Sequence, residues 1–306
     1  MVQRIFPVLL VAATATLFSC QSDHDKVKET ITQALAAQQG TFAVAFKDLS
    51  TGEEIFINER MPFHAASTMK TPVMIEVFKQ AAAGKFSLTD SVLIKNEFKS
   101  IVDGSPYGLS EDDDSEFELY RQIGKKRTLQ SLVYEMITVS SNLATNIVIE
   151  WVDAKNVTQT MRDLGAKDIQ VLRGVEDNKA FEKKLNNTVT AYDLMLIFEK
   201  LGKGEAVNPE ASKAMIAILL DQKYNDIIPA KLPRDVKVAH KTGWIKGLHH
   251  DSALVMLPDG RQYVLVLLSK DLKDEKAAVE TLNDVSKTLY DYVIAKERTT
   301  PPVPGK

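Results

Sequence analysis

The chain has 306 residues, 44% of them hydrophobic and 26% charged, with a net charge of −3. That composition excludes bulk disorder, and the slightly acidic balance excludes the concentrated basic surface that nucleic-acid binding requires. A single cysteine, Cys20, excludes an internal disulfide and a cysteine-ligated zinc or iron–sulfur centre. The length suits one large domain or two lobes.

The first twenty residues read as an address. Arg4 is the only charge before Asp23, and Ile5 to Phe18 is almost wholly apolar or small. The run is too short for a settled membrane span but suits the apolar region of a signal peptide over residues 1–19. It ends in Leu17-Phe18-Ser19-Cys20, which resembles a bacterial lipobox. The resemblance implies cleavage before Cys20 and lipidation of its thiol. The protein would then be exported to the periplasm or outer membrane, with contact to the bilayer only through acyl chains worth about 0.8 kcal/mol per buried CH₂.

Periodicity then predicts a helix over 22–38, a hairpin of strands 41–47 and 54–58 around Asp48-Leu49-Ser50-Thr51-Gly52, and a loop over 61–67. A mostly buried helix is expected over 67–83, closed by Gly84. Residues 96–127 are polar, and the run Glu111-Asp112-Asp113-Asp114-Ser115-Glu116 reads as a solvated surface loop. Helices follow over 128–138, 142–153, 156–164, 190–201 and 208–220. Strands follow over 237–242, 252–257 and 263–269, with Pro258-Asp259-Gly260 turning the last two into a hairpin. A helix over 273–295 and a frayed, proline-rich tail over 299–306 complete the chain. This order predicts an α+β fold, with one five-stranded antiparallel sheet flanked by the N- and C-terminal helices and a second, all-helical lobe. The α/β lobe would take residues 22–66 and 235–298, and the helical lobe 67–234.

Ser67-Thr68-Met69-Lys70 opens the helix after the loop. Residues three apart share a helix face, so the Lys70 amine lies on the side of the Ser67 hydroxyl. A serine becomes a nucleophile when a base removes its proton, and a lysine can be that base if desolvation or nearby positive charge lowers its pKa. Ser140-Ser141-Asn142 opens an apolar helix about seventy residues on, and Lys241-Thr242-Gly243 ends a strand about a hundred residues later. In that order S-x-x-K, S-x-N and K-T-G resemble the penicillin-recognising serine enzymes, and most closely the class A β-lactamases. The likeness runs from Thr41 to the last helix.

The resemblance implies the following roles. Ser67 is acylated, Lys70 is its base, and Ser140 relays a proton to the leaving nitrogen. Asn142 holds the substrate's side-chain amide and contacts Lys70. Lys241 and Thr242 bind the substrate carboxylate, and Gly243 spares a β-lactam a Cβ clash. The backbone N–H groups of Ser67 and Trp244 form an oxyanion hole. Glu176 is the base for deacylation, with Glu182 as the other candidate. No cofactor and no metal are expected, and the partners are a β-lactam or a peptidoglycan peptide bound to a monomer.

Three features depart from the family pattern. No Leu-Asn follows Glu176, the loop is shortened, and Asn187 stands where a salt-bridging aspartate to Arg173 is expected. Without a working deacylation base the chain would be a penicillin-binding protein or D,D-peptidase. A non-catalytic envelope-binding lipoprotein is the remaining reading. Tyr107 is a candidate to stack on substrate at the cleft mouth, Trp244 a cleft residue, Trp151 a core residue and Glu76 a polar spot on a helix. His249 and His250, as strand neighbours, point to opposite faces and cannot chelate together.

Overall fold

A computed structural model describes residues 22–296. Cys20, the signal segment 1–19 and the tail 299–306 lie outside the described residues. In chain order the described elements are α1 (Asp23–Ala36), β1 (Thr41–Asp48), β2 (Glu54–Ile57), β3 (Phe63–His64), α2 (Lys70–Ala82), β4 (Ser91–Leu93), β5 (Phe98–Lys99), β6 (Pro106–Tyr107) and β7 (Lys126–Thr128). They continue with α3 (Leu129–Thr138), α4 (Asn142–Val152), α5 (Ala154–Asp163), α6 (Asn178–Glu182), β8 (Thr188–Val189), α7 (Ala191–Gly202) and α8 (Pro209–Leu220). Strands β9 (Lys237–Ile245), β10 (Leu248–Met256) and β11 (Gln262–Lys270) and helix α9 (Glu275–Ala295) close the fold.

The five long strands form one antiparallel sheet in the order β2-β1-β11-β10-β9. Side chains alternate across a strand, and here both faces are apolar. Phe42, Val44, Phe46, Tyr263, Leu265 and Leu267 face one way, into a core closed by α1 and α9. Ala43, Ala45, Val264, Val266 and Leu268 face the other, where α7 packs on β1, β10 and β11. The small side chains of β1 let α7 lie close. The second core is continuous with helices α2, α3, α4, α5, α7 and α8, so the helical lobe is built directly on the sheet.

Helix starts follow capping chemistry. Thr128, Ser141, Thr190, Asn208 and Asp274 each accept a backbone N–H from the first turn of α3, α4, α7, α8 and α9, and Pro209 takes the first position of α8. Where the expected helix 67–83 begins, the chain forms a 3₁₀ helix, Ala66–Met69, before α2 takes over. Strand β9 runs on through Gly243 to Ile245 and turns at Lys246-Gly247 into β10, longer than the motif-bounded strand expected.

Two expectations need correction. Trp151 is no core residue: it is 40% exposed on the outer side of α4, where it meets Phe86 edge-on at 6.0 Å. The polar stretch 96–127 holds short strands and 3₁₀ turns. Glu111, Asp112 and Asp113 are exposed as expected, but Asp114 is drawn inward by the start of α4.

Candidate functional site

The cleft lies where the free edge of β9, the 3₁₀ helix Ala66–Met69, the start of α4 and the loop 172–187 converge. It is open, about 1010 Å³ in volume, and lined by Ser67, Ser140, Asn142, Glu176, Thr242, Gly243 and Trp244 among others. Seven non-glycine residues among those described have positive φ, and three of them line this cleft: Ala66 (44°), Ser140 (60°) and Glu176 (60°). Such conformations cost about 1–3 kcal/mol each and concentrate where geometry serves chemistry.

Lys70 is fully buried at the start of α2. Its ammonium donates to Ser140 O at 2.7 Å, Ser140 Oγ at 3.2 Å and Asn142 Oδ1 at 2.9 Å, so all three protons are used and none goes to Ser67. Burial lowers its pKa to about 7, with Asp114 and Glu176 opposing the shift. Lys241, also fully buried, donates to Ser140 Oγ at 3.1 Å and Thr242 O at 2.9 Å. Burial first and the Lys70 charge second push it well below an ordinary lysine. The Ser140 hydroxyl therefore bridges two amines that disfavour being charged together, and it can donate to whichever is neutral.

Asn142 joins this pair to the loop. Its Oδ1 accepts from Lys70, and its Nδ2 donates to Glu176 Oε1 at 2.7 Å. Burial raises the Glu176 pKa, and Asp114 and Asp113 add to the rise against the Asn142 hydrogen bond and Lys70. Glu182, the other candidate, is exposed at the end of α6 and does not line the cleft.

Hydrogen bonds to neutral acceptors close the loop. Arg173 donates to Leu185 O (2.9 Å), Gly174 O (3.0 Å) and Asn186 Oδ1 (3.2 Å). Asn187 accepts from Leu172 N at 2.8 Å and donates to Arg173 O at 2.9 Å, which replaces the expected salt bridge by backbone pairing. Asn146 of α4 clasps the residue before Glu176: its Oδ1 accepts Val175 N at 2.6 Å and its Nδ2 donates to Val175 O at 3.0 Å. A Cβ on Gly174 would stand 2.2 Å from Asn146 Oδ1, so this clasp requires glycine there. Tyr107 belongs to the same support. It does not offer its ring at the mouth; its hydroxyl donates to Val175 O at 3.3 Å and its ring packs on Phe98.

Gly243 carries a constraint from the protein itself: an added Cβ would stand 3.2 Å from Ser67 N and Thr68 N. The glycine lets β9 lie against the turn that carries Ser67. Trp244 is 63% exposed, and its Nε1 donates to Glu275 Oε2 at 3.2 Å. Glu275 also accepts from Gly247 N (2.8 Å) and His249 Nε2 (2.9 Å), so the first residue of α9 pins the β9–β10 turn. His249 and His250 do face opposite ways. His250 is buried, accepts Ser269 N–H at Nδ1 and donates from Nε2 to His64 O at 3.0 Å. Burial lowers its pKa to about 4. His240 lies inside the strand packing, its Nδ1 3.0 Å from Asp251 Oδ1. Glu76 is buried on α2, where Gln80 and Thr160 donate to it.

The sequence reading missed Asp114, Asn146, Asp177 and Glu275. Asp177 accepts from Ser100 Oγ and Ile101 N, both at 2.9 Å, and ties the loop to the segment before β6. Only Asn146 had a local signal, as a polar residue one turn beyond Asn142 on an otherwise apolar helix.

The sheet order, the helices on both its faces and the cleft at the edge of β9 define a β-lactamase/transpeptidase-type α+β fold. The family model described as "Beta-lactamase enzyme family" matches residues 26–293, and the chain belongs to that family. Relatives include the β-lactamase PSE-4 of Pseudomonas aeruginosa, 22% identical with 93% of this chain and 96% of that protein covered. A β-lactamase of Bacteroides uniformis is 23% identical over 91% of this chain and 97% of the relative. Among solved structures, a β-lactamase of Sphaerobacter thermophilus superposes with a TM-score of 0.76 at 26% identity, covering 89% of this chain and 98% of the other. No helix among the described residues is long and apolar enough to cross a membrane.

Proposed function

We propose that the chain is an exported serine β-lactamase of class A type, which hydrolyses the β-lactam amide through an acyl intermediate on Ser67. The observation that carries this reading is one hydrogen-bonded chain beneath Ser67: Lys241, Ser140, Lys70, Asn142 and Glu176. With a pKa of about 7, Lys70 is neutral in a large fraction of molecules at neutral pH and accepts the Ser67 proton as Oγ bonds to the lactam carbon. The carbonyl oxygen gains the electron pair and is held by the backbone N–H groups of Ser67 and Trp244. As the carbon–nitrogen bond breaks, Ser140 protonates the nitrogen and is reprotonated by the lysines on either side. The arriving substrate carboxylate, held by Thr242 and Lys241, favours the charged form of Lys241. Asn142 presents its amide to the substrate side chain.

Glu176 then takes a proton from water. The hydroxide attacks the ester carbon, and as the carbon–Oγ bond breaks Ser67 Oγ takes the proton that Glu176 removed from water, which returns both groups to their starting state. The raised Glu176 pKa makes it a stronger base than a solvated glutamate once ionised. No cofactor enters these steps. Export and a lipid tether at Cys20 rest on the first twenty residues, and Cys20→Ala should move the protein from the membrane to the soluble fraction.

The test is intact mass over time with a penicillin. Wild type should show a transient adduct on Ser67 while the β-lactam absorbance falls past one equivalent, and Glu176→Gln should hold the adduct. Undiminished turnover by Glu176→Gln would remove Glu176 from the reaction. An adduct that persists on the wild type after one equivalent would make the chain a penicillin-binding protein or D,D-peptidase.

A further inference from the structure

We infer that Asp114, from the acidic run outside the three motifs, is a positioning residue that seats Asn142 and supplies the negative charge facing Lys70. Both Asp114 oxygens accept Asn142 N–H at 3.0 Å, and Oδ2 also accepts Leu143 N–H at 2.8 Å. These are orphan donors of the first turn of α4, where the helix dipole favours a carboxylate. Tyr120 donates its hydroxyl to Asp114 Oδ2 at 3.0 Å, a further bond that fixes the carboxylate. Ser115, the next residue, donates to Val139 O, so the segment is stitched to the chain on both sides of Ser140. Ser141 already caps α4 with its own hydroxyl at Ala144 N. Asp114 is therefore not the helix's only cap; it engages the backbone of the residue whose side chain holds Lys70.

The groups facing Lys70 are Asp114 and Glu176, with Lys241 across Ser140. Those facing Asp114 besides these are Tyr120 of its own segment and Glu135 of α3, and Glu116 N–H donates to Asp114 Oδ1 at 3.2 Å. Asp114 thus offsets the burial that strips Lys70 of its proton, and it sets the pH at which Lys70 becomes a base. Because this rests on Ser67 being acylated with Lys70 as base, the wild type is the control.

The experiment is the single-turnover acylation rate of Ser67 by a penicillin, followed by intact mass from pH 5 to 9. Asp114→Asn keeps acceptor oxygen and shape but removes the charge. The acidic limb should move down by about one pH unit, so that well below the limb the variant acylates about ten-fold faster relative to its own plateau. Asp114→Ser, a second neutral variant able to accept a helix N–H, should move the limb the same way. Asp114→Glu should leave it where the wild type has it. A limb unmoved in a folded neutral variant, even with a lowered Tm, overturns the inference. So does a limb that moves equally in Asp114→Glu. No adduct on the wild type at any pH overturns instead the reading of Ser67.

Discussion

Gly174→Ala should separate the two halves of the reaction from a position that touches neither Ser67 nor Glu176. The added Cβ would lie 2.2 Å from Asn146 Oδ1 and 2.8 Å from its Cγ, a distance no side-chain breathing absorbs. Gly174 has no positive φ, so alanine's backbone is acceptable and the whole effect comes from the collision. Asn146 is buried, and turning it away breaks its bonds to Val175 N (2.6 Å) and Val175 O (3.0 Å). Two hydrogen bonds at about 1 kcal/mol each, plus exposed or unpaired remnants, give a loss of about 2–4 kcal/mol. For a domain of this size that is a fall in Tm of roughly 3–7 °C. Glu176 follows Val175 directly, so its carboxylate loses its seat beside Asn142, and a displacement near ~1 Å costs on the order of 100-fold in rate. Lys70, Ser140 and Lys241 keep their mutual hydrogen bonds, so acylation should stay within about three-fold. Rapid-quench intact mass with a penicillin should show the adduct accumulating in the variant and not in the wild type. A variant with wild-type Tm and no accumulated adduct would refute the argument that the Asn146 clasp seats Glu176.

Gly243→Ala should act in the opposite sense. Its Cβ presses on Ser67 N and Thr68 N at 3.2 Å, so acylation should fall by roughly 10–100-fold with a stability loss of about 1–3 kcal/mol, and single-turnover rates equal to wild type would refute it. The acylation rate of the wild type should rise with pH through a midpoint near 7, because protonated Lys70 cannot accept a proton; a flat profile from pH 5 to 9 would exclude Lys70 as the base. His250 should make the fold acid-sensitive. Its folded pKa of about 4 lies below the ordinary value near 6.5, so the unfolded chain binds the extra proton between them. The stability it contributes is complete above pH 6.5 and lost as pH falls toward 4, about 3 kcal/mol in all. Melting at pH 7.5 and 4.5 should show a larger loss for wild type than for His250→Gln; equal losses would contradict the burial argument.

What could be read in the sequence was whatever is encoded within a few residues or in a repeated period. The two apolar faces of β1 and β11 alternate at a spacing of two, and α3, α4, α7 and α8 begin at Thr128, Ser141, Thr190 and Asn208, each a capping side chain before an apolar run. Ser67, Lys70, Ser140, Lys241 and Thr242 stood out because their types and local spacing recur as motifs. Strands of two or three residues such as β3, β5 and β8 carry no period and were invisible. Asp114 looked like one more solvated charge because the donors that fix it, Asn142 N and Leu143 N, lie 28 and 29 positions away. At Gly243 the motif carries the ligand argument, whereas the close approach of Ser67 and Thr68 to the missing Cβ comes only from the fold. Glu176 was ambiguous with Glu182 for the same reason. Only the fold brings Asn142 within 2.7 Å of one carboxylate and leaves the other in solvent. The motifs thus name groups that the fold brings to one cleft. The contacts beneath them, Asp114 on Asn142 N–H and Asn146 on the Val175 backbone beside Glu176, join residues about thirty positions apart, so only the fold reveals them.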